Sequence, residues 1–239
     1  TMASDLGSSS TDLQWAVSAF MIALGVSLVP ASRIADLLGR KRSLLTGLAL
    51  FGFASLLVAI AADPNQVILA RALQGVGAAV VLTVGFSLVT NATSEWERPR
   101  VLGVLIGVSG IAIGVGPVVG GLLTATVGWR WVFGINVPII AAAFVWGMVQ
   151  LNEQRDELLA KIRLLNLDWL GILLLAVGVT GLSLAIDDVS TDGLSTTAVT
   201  AFIGSAAIVG FTFWERQASW PLVPPELWRY PGFPALVIG

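Results

Sequence analysis

Seven uninterrupted runs without a charged side chain constrain this chain more than any other feature: Leu13 to Ser32, Ser43 to Ala62, Ala72 to Ser94, Val101 to Trp129, Trp131 to Asn152, Trp169 to Ile186 and Gly193 to Trp214. In hydrocarbon an unpaired backbone N–H or C=O costs several kcal/mol. A segment that crosses a bilayer is therefore a helix of about 20 apolar residues, roughly 30 Å long. Every run meets that length. Transmembrane strands would alternate in polarity over about ten residues, and stretches such as Leu48 to Ile60 and Ile172 to Val177 do not. The predicted fold class is all-α, a polytopic transmembrane helix bundle with seven complete spans. Composition agrees: 56% of residues are hydrophobic and 12% charged, with a mean hydropathy of +0.86, against about a quarter charged in soluble domains.

The same composition excludes much chemistry. There is no cysteine and no histidine, which removes disulfides, thiolate and imidazole metal sites and histidine-based catalysis. No cofactor, no metal and no enzymatic activity are expected. The formal charge is −2, and the longest basic run is Arg40-Lys41-Arg42, so there is no footprint for nucleic acid.

Orientation follows from the cations, because short cytoplasmic loops retain Lys and Arg. Arg33, Arg40, Lys41, Arg42, Arg98, Arg100, Arg155, Lys161, Arg163, Arg216 and Arg229 all fall after the odd-numbered runs, leaving only Arg71 and Arg130 towards the other side. Asp5, Asp12, Asp63, Asp187, Asp188 and Asp192 collect opposite them. The first residues are thus expected outside and the last inside. The chain starts at Thr1, and Pro231 to Gly239 begins an apolar stretch that stops, so both ends are expected to be cuts in a longer protein. Between the fifth and sixth runs, Glu153, Arg155, Asp156, Glu157, Lys161 and Arg163 mix with Leu158, Ile162 and Leu165, the pattern of a helix lying at the cytoplasmic interface.

Four local patterns carry chemistry. Ser32-Arg33-Ile34-Ala35-Asp36-Leu37-Leu38-Gly39-Arg40-Lys41-Arg42 joins two apolar runs with a carboxylate, a glycine and a cation cluster; Gly39 permits a tight turn. In Arg71-Ala72-Leu73-Gln74-Gly75-Val76-Gly77, a helix starting near Asn65 puts Arg71 about 9 Å into the span, where a charge costs about 3 kcal/mol and either snorkels outward or faces a polar interior. Gly103, Gly107, Gly110, Gly114 and Gly121 line one stripe of the fourth span, with Pro117 filling the intermediate step and Gly116 and Gly120 widening it. Small residues of this kind let helix backbones approach closely. Gly128-Trp129-Arg130-Trp131-Val132-Phe133-Gly134-Ile135-Asn136-Val137-Pro138 reads as a set of interface anchors.

These strings resemble signatures of the major facilitator superfamily. The first is similar to the family's Gly-x-Leu-Ala-Asp-Arg-x-Gly-Arg-Arg/Lys link between its second and third helices, with Ser32 and Leu37 departing from it. Arg-x-x-Gln-Gly-x-Gly is similar to a fourth-helix motif whose arginine is implicated in proton coupling. Gly116-Pro117-Val118-Val119-Gly120-Gly121 resembles the fifth-helix motif of the antiporters. The Trp-Arg-Trp string resembles the fifth-to-sixth helix junction of the fourteen-span drug:proton antiporters, and the two extra spans Trp169 to Ile186 and Gly193 to Trp214 fit that group. The chain would then hold the family's helices 2 to 8.

The resemblance implies a proton-coupled exporter of amphipathic organic compounds, working by alternating access in the plasma membrane. It divides the chain into a transporter half without its first helix (1–150), a cytoplasmic linker (151–168), two extra spans (169–214), and a cytoplasmic loop with the start of another span (215–239). Arg71, Gln74 and Gly75 would form the coupling and substrate region. Arg33, Asp36, Gly39, Arg40 and Arg42 would form a cytoplasmic gate, and Gly110, Gly114, Gly116, Pro117, Gly120 and Gly121 the antiporter seam. Implied partners are a small amphipathic substrate, protons, the lipid bilayer and the remaining C-terminal half. Since Arg71 does not titrate at useful pH, the proton carrier would be an acid in the family's first helix, which would precede this chain. A metabolite symporter of the same fold and a non-transporting membrane scaffold are the alternatives.

Overall fold

The computed structural model describes residues 2–152, 168–188, 194–218 and 221–222. Among these there is no strand. The elements are α1 (Met2–Leu6), α2 (Ser10–Leu38), α3 (Arg40–Ile60), α4 (Pro64–Ala92), α5 (Arg98–Thr126), α6 (Arg130–Gly134), α7 (Asn136–Gln150), α8 (Trp169–Asp188) and α9 (Leu194–Glu215). Seven spans are long and apolar enough to cross a membrane, with α6 and α7 together making one of them, Arg130–Gln150. The expected seven-span helical bundle is the observed class. Residues 153–167 of the expected 151–168 linker, and most of the expected 215–239 loop and span start, lie outside the described residues.

Helix ends follow from local chemistry. Ser9 and Asp12 form a reciprocal capping box at the start of α2: Asp12 N–H donates to Ser9 Oγ at 3.1 Å and Ser9 N–H to Asp12 Oδ2 at 2.8 Å. Asp63 caps α4 through Gln66 N–H at 3.0 Å, with Pro64 in the first turn, where its missing N–H is not needed. At the far end of α5, Gly128 takes φ 101° and its N–H closes on Leu123 O at 2.9 Å. α5 runs unbroken through Pro117.

One expectation is corrected. Ser32 to Arg42 was to be an inter-helix loop, yet α2 continues to Leu38 and α3 starts at Arg40. Gly39 alone, at φ 93°, makes the connection. The helix continues there because Ser32 to Leu38 holds no glycine or proline, and Arg33, Ala35, Leu37 and Leu38 are good helix formers.

Clustering of the backbone gives two compact units, Thr1–Leu159 and Ala160–Gly239. In the first, α4 is the central helix, packed along both α2 and α3, while α3 also packs on α6 and α7. The close crossings use glycine. A Cβ on Gly75 would run into Phe20 O of α2, and one on Gly77 would lie 2.7 Å from Phe51 N of α3. Gly47 on α3 faces Val80 in the same way. Near one end, Ala16, Val58, Ala61, Val67, Ala70 and Trp129 form a buried cluster, with Met2 and Leu6 of α1 packed on it. α1 was not foreseen, although Met2 and Leu6 have the four-residue spacing of one helix face. Trp129, read as an interface anchor, is instead 5% exposed, whereas Trp131 is 58% exposed.

α5 stands apart. No residue of it is buried, and its main neighbours, α4 and α6, meet it only sparsely.

The second unit is an antiparallel pair. Gly181 and Gly204 meet backbone to backbone, and Gly178 receives Ile208. Asp168 closes the open end: its Oδ1 accepts from Gly171 N–H at 2.9 Å, capping α8, and from Trp214 Nε1 of α9 at 2.7 Å.

Candidate functional site

Arg71 lies two turns into α4, about 10 Å from its start at Pro64. Its side chain turns inward rather than snorkelling. Nε donates to Ala16 O of α2 at 3.2 Å, and Nη1 donates to Gln74 Oε1 at 2.6 Å. The Phe20 ring lies 4.1 Å and the Phe133 ring 5.7 Å from the guanidinium carbon, so aromatic rings accompany the charge where water is scarce. Gly75 explains the reach to Ala16, because its missing Cβ lets the α2 backbone approach one turn further along, at Phe20 O. Gln74 is 1% exposed, and its Nε2 donates to Ser55 Oγ of α3 at 2.7 Å. Ser55, fully buried, donates in turn to Phe51 O at 2.8 Å. Arg71, Gln74 and Gly75 thus lie together on the part of α4 that meets α2 and α3.

Sequence reasoning missed Ser55, Phe20 and Phe133. A hydroxyl in the apolar run Ser43 to Ala62 was the available signal for Ser55. For the two phenylalanines there was none, since an aromatic in a span is ordinary. The guanidinium has more N–H groups than these two bonds use, and no carboxylate among the described residues pairs with it.

The charged cluster around Gly39 is a separate place, about 24 Å away along α4. Arg40 Nη2 lies 3.7 Å from Asp36 Oδ1, one turn back across Gly39, and its Nη1 reaches Ser87 O at 3.5 Å. Lys41 donates to Met148 O at the end of α7, at 2.8 Å, and Arg98 Nε to Thr90 O at 3.0 Å. Lys41 and Arg98 thus meet carbonyls in the last turns of α7 and α4, which lack helical partners. Arg33 is half-buried and Arg42 exposed on the flanks of the same turn. Thr83 Oγ1 donates to Ala79 O and lies 3.4 Å from Leu28 O of α2.

The third expected group has no partner among the described residues. A Cβ on Gly103, Gly107, Gly110, Gly114, Gly116, Gly120 or Gly121 would meet nothing within 4 Å. Pro117 shares this open helix. Packing inside the described bundle therefore gives no account of the stripe.

At the opposite end, Arg130 Nη1 lies 3.3 Å from Asp5 Oδ2, which also accepts from Trp129 Nε1 at 3.1 Å. Arg130 Nη2 donates to Ala61 O at 3.2 Å. No cluster of metal-binding side chains occurs among the described residues.

Known proteins share this architecture. The profile of the Major Facilitator Superfamily matches residues 1–237. The chain is 35% identical to an uncharacterized MFS-type transporter of Mycobacterium tuberculosis, over 98% of this chain and 34% of that protein. It is 35% identical to a puromycin resistance protein of Streptomyces alboniger (98% and 46%), and 32% identical to the tetracenomycin C resistance and export protein of Streptomyces glaucescens (94% and 41%). The chain spans between about a third and a half of the length of these relatives. With seven membrane-length helices and a family match over nearly every residue, this multi-pass membrane chain belongs to the Major Facilitator Superfamily.

Proposed function

We propose that the chain is part of a proton-coupled exporter of small amphipathic organic compounds, working by alternating access in the plasma membrane. The observation that carries this reading is the inward-turned Arg71, fixed on α2 and on Gln74 with N–H groups still to spare. A fixed cation beside a carboxyl lowers that carboxyl's proton affinity when the two approach, and returns it when they part. Arg71 would therefore drive proton release from an acid outside the described residues. Relatives bearing the names of resistance and export proteins support an organic cargo.

On this reading 1–150 supplies a transporter half, 151–168 a linker, 169–214 an added helix pair, and 215–239 the approach to another span. Asp36 and Arg40, flanked by Arg33, Gly39 and Arg42, latch the cytoplasmic end. Gly110, Gly114, Gly116, Pro117, Gly120 and Gly121 of α5 form the seam against which helices of the C-terminal half slide. Support for the seam is its open surface: seven glycines that no described neighbour requires.

The test uses the intact transporter in proteoliposomes loaded with a pH dye. Adding ethidium should move protons opposite to the dye, and an imposed pH gradient should drive ethidium against its own gradient. Proton movement in the same direction as ethidium would establish a symporter, and no movement of either would leave a scaffold.

A further inference from the structure

We infer that Ser55 is a positioning residue for Arg71, acting through Gln74. The inference rests on the coupling role proposed for Arg71 and extends it to a helix that does not carry the motif. Its basis is the polarity of the hydrogen-bond chain from Arg71 to Phe51.

Both ends of that chain allow only one direction. A guanidinium can only donate, and a backbone carbonyl can only accept. Ser55 has a single hydroxyl hydrogen, engaged with Phe51 O at 2.8 Å, so Oγ faces Gln74 purely as an acceptor. The amide must then present Nε2 to Ser55, at 2.7 Å, and Oε1 to Arg71, at 2.6 Å. Gln74 is 1% exposed and Ser55 is fully buried, so no solvent competes for either group. Removing the hydroxyl leaves Nε2 without its acceptor inside the bundle, a cost comparable to a buried unsatisfied donor. The amide is then free to rotate, and a rotated amide turns donors towards the guanidinium. Arg71 would lose one of its two fixed bonds and the direction of its remaining N–H groups, although no atom of Ser55 touches it.

Plain helix-to-helix adhesion between α3 and α4 is the competing explanation. It predicts loss of folded protein rather than altered coupling. The experiment compares Ser55→Ala, Ser55→Thr and Arg71→Ala in the intact transporter, measuring amount in the membrane, melting temperature, and ethidium-driven proton flux in proteoliposomes across a pH range of about 5.5 to 8.5. Ser55→Ala should lower flux per folded molecule about tenfold, as expected for loss of one buried hydrogen bond to a charged site, and displace its pH profile. Ser55→Thr, which keeps the hydroxyl, should restore flux to within about twofold and return the profile. Should Ser55→Ala not fold, Ser55→Cys, a near isostere with only a weak acceptor, is read in the same way. Unchanged flux per molecule and pH profile in the folded Ala or Cys variant, whatever the yield, overturns the inference. Arg71→Ala separates the two levels: if it too leaves flux unchanged, the coupling role of Arg71 fails and Ser55 has nothing to position. If Arg71→Ala abolishes flux while the Ser55 variants are silent, only the present inference fails.

Discussion

The carboxylate of Asp5 lies 3.3 Å from Nη1 of Arg130, across 125 residues of sequence. The same oxygen receives Trp129 Nε1, and Arg130 continues to Ala61 O. One acid thus ties α1 to the turn before α6 and, through Arg130, to the end of α3. Both charged side chains are nearly half exposed, so the pair should contribute no more than about 1 kcal/mol. Its value is positional. Because the chain has no cysteine, a single one at Ala61, now 2% exposed, reports the contact cleanly. Asp5→Ala should raise maleimide labelling at that cysteine about fivefold while shifting melting by only a degree or two. Equal labelling with and without Asp5 would show that α1 is not held by this acid.

Gly39 and Gly107 should respond oppositely to alanine. Gly39 holds φ 93° with ψ 144°, backbone essentially reserved for glycine that costs an L side chain about 1–3 kcal/mol, so Gly39→Ala should lower the thermal midpoint. Gly107 is helical with open space around it, and alanine there should gain up to about 1 kcal/mol of helix propensity. Differential scanning of the detergent-solubilised variants checks both signs.

At the α3–α4 crossing, Gly77→Val adds bulk where a Cβ already sits 2.7 Å from Phe51 N. Backbone cannot yield as a side-chain tip can. A loss of about 1–3 kcal/mol is expected from overpacking, read as reduced monodisperse yield. Unchanged yield and melting in the Gly77→Val variant would mean that α3 and α4 do not cross here.

The seam proposal has its own signature. Gly114→Leu projects into space that is empty among the described residues, so insertion and amount should be unaffected. Transport of ethidium by the intact protein should nevertheless fall at least about tenfold, since a leucine blocks close helix approach.

Topology can be checked with two single cysteines at exposed helix ends. Ala62→Cys, after α3, should react with an impermeant maleimide from outside intact cells. Ser94→Cys, after α4, should react only once the membrane is opened. Reaction of both from the same side would overturn the seven-span arrangement.

The spans were legible because the bilayer allows one solution to a charge-free run, and Leu13 to Ser32 or Ala72 to Ser94 offered no other. The expected boundary after Ser32 failed for the same reason: charge marks where lipid ends, and a helix such as α2 continues past that limit to Leu38. Arg71, Gln74 and Gly75 were legible as a cluster, being spaced along one helix. Ser55, Phe20 and Phe133 were not: α6 carries Phe133 by packing on α3, and the crossings of α4 with α2 and α3 that bring Phe20 and Ser55 to Arg71 and Gln74 depend on glycines at 47, 75 and 77 whose packing partners no local pattern names. The α5 stripe was equally visible in sequence, and no described residue packs against its glycines.

With Gly39 as the whole of the connection, the facing ends of α2 and α3 are separated by one Cα step on either side, about 3.8 Å each. A linkage that short has no slack. Any twist or tilt at Leu38 must reappear at Arg40 as torque, so these two helices behave at this end as the arms of a crank, and Asp36 and Arg40 sit on opposite sides of its pivot.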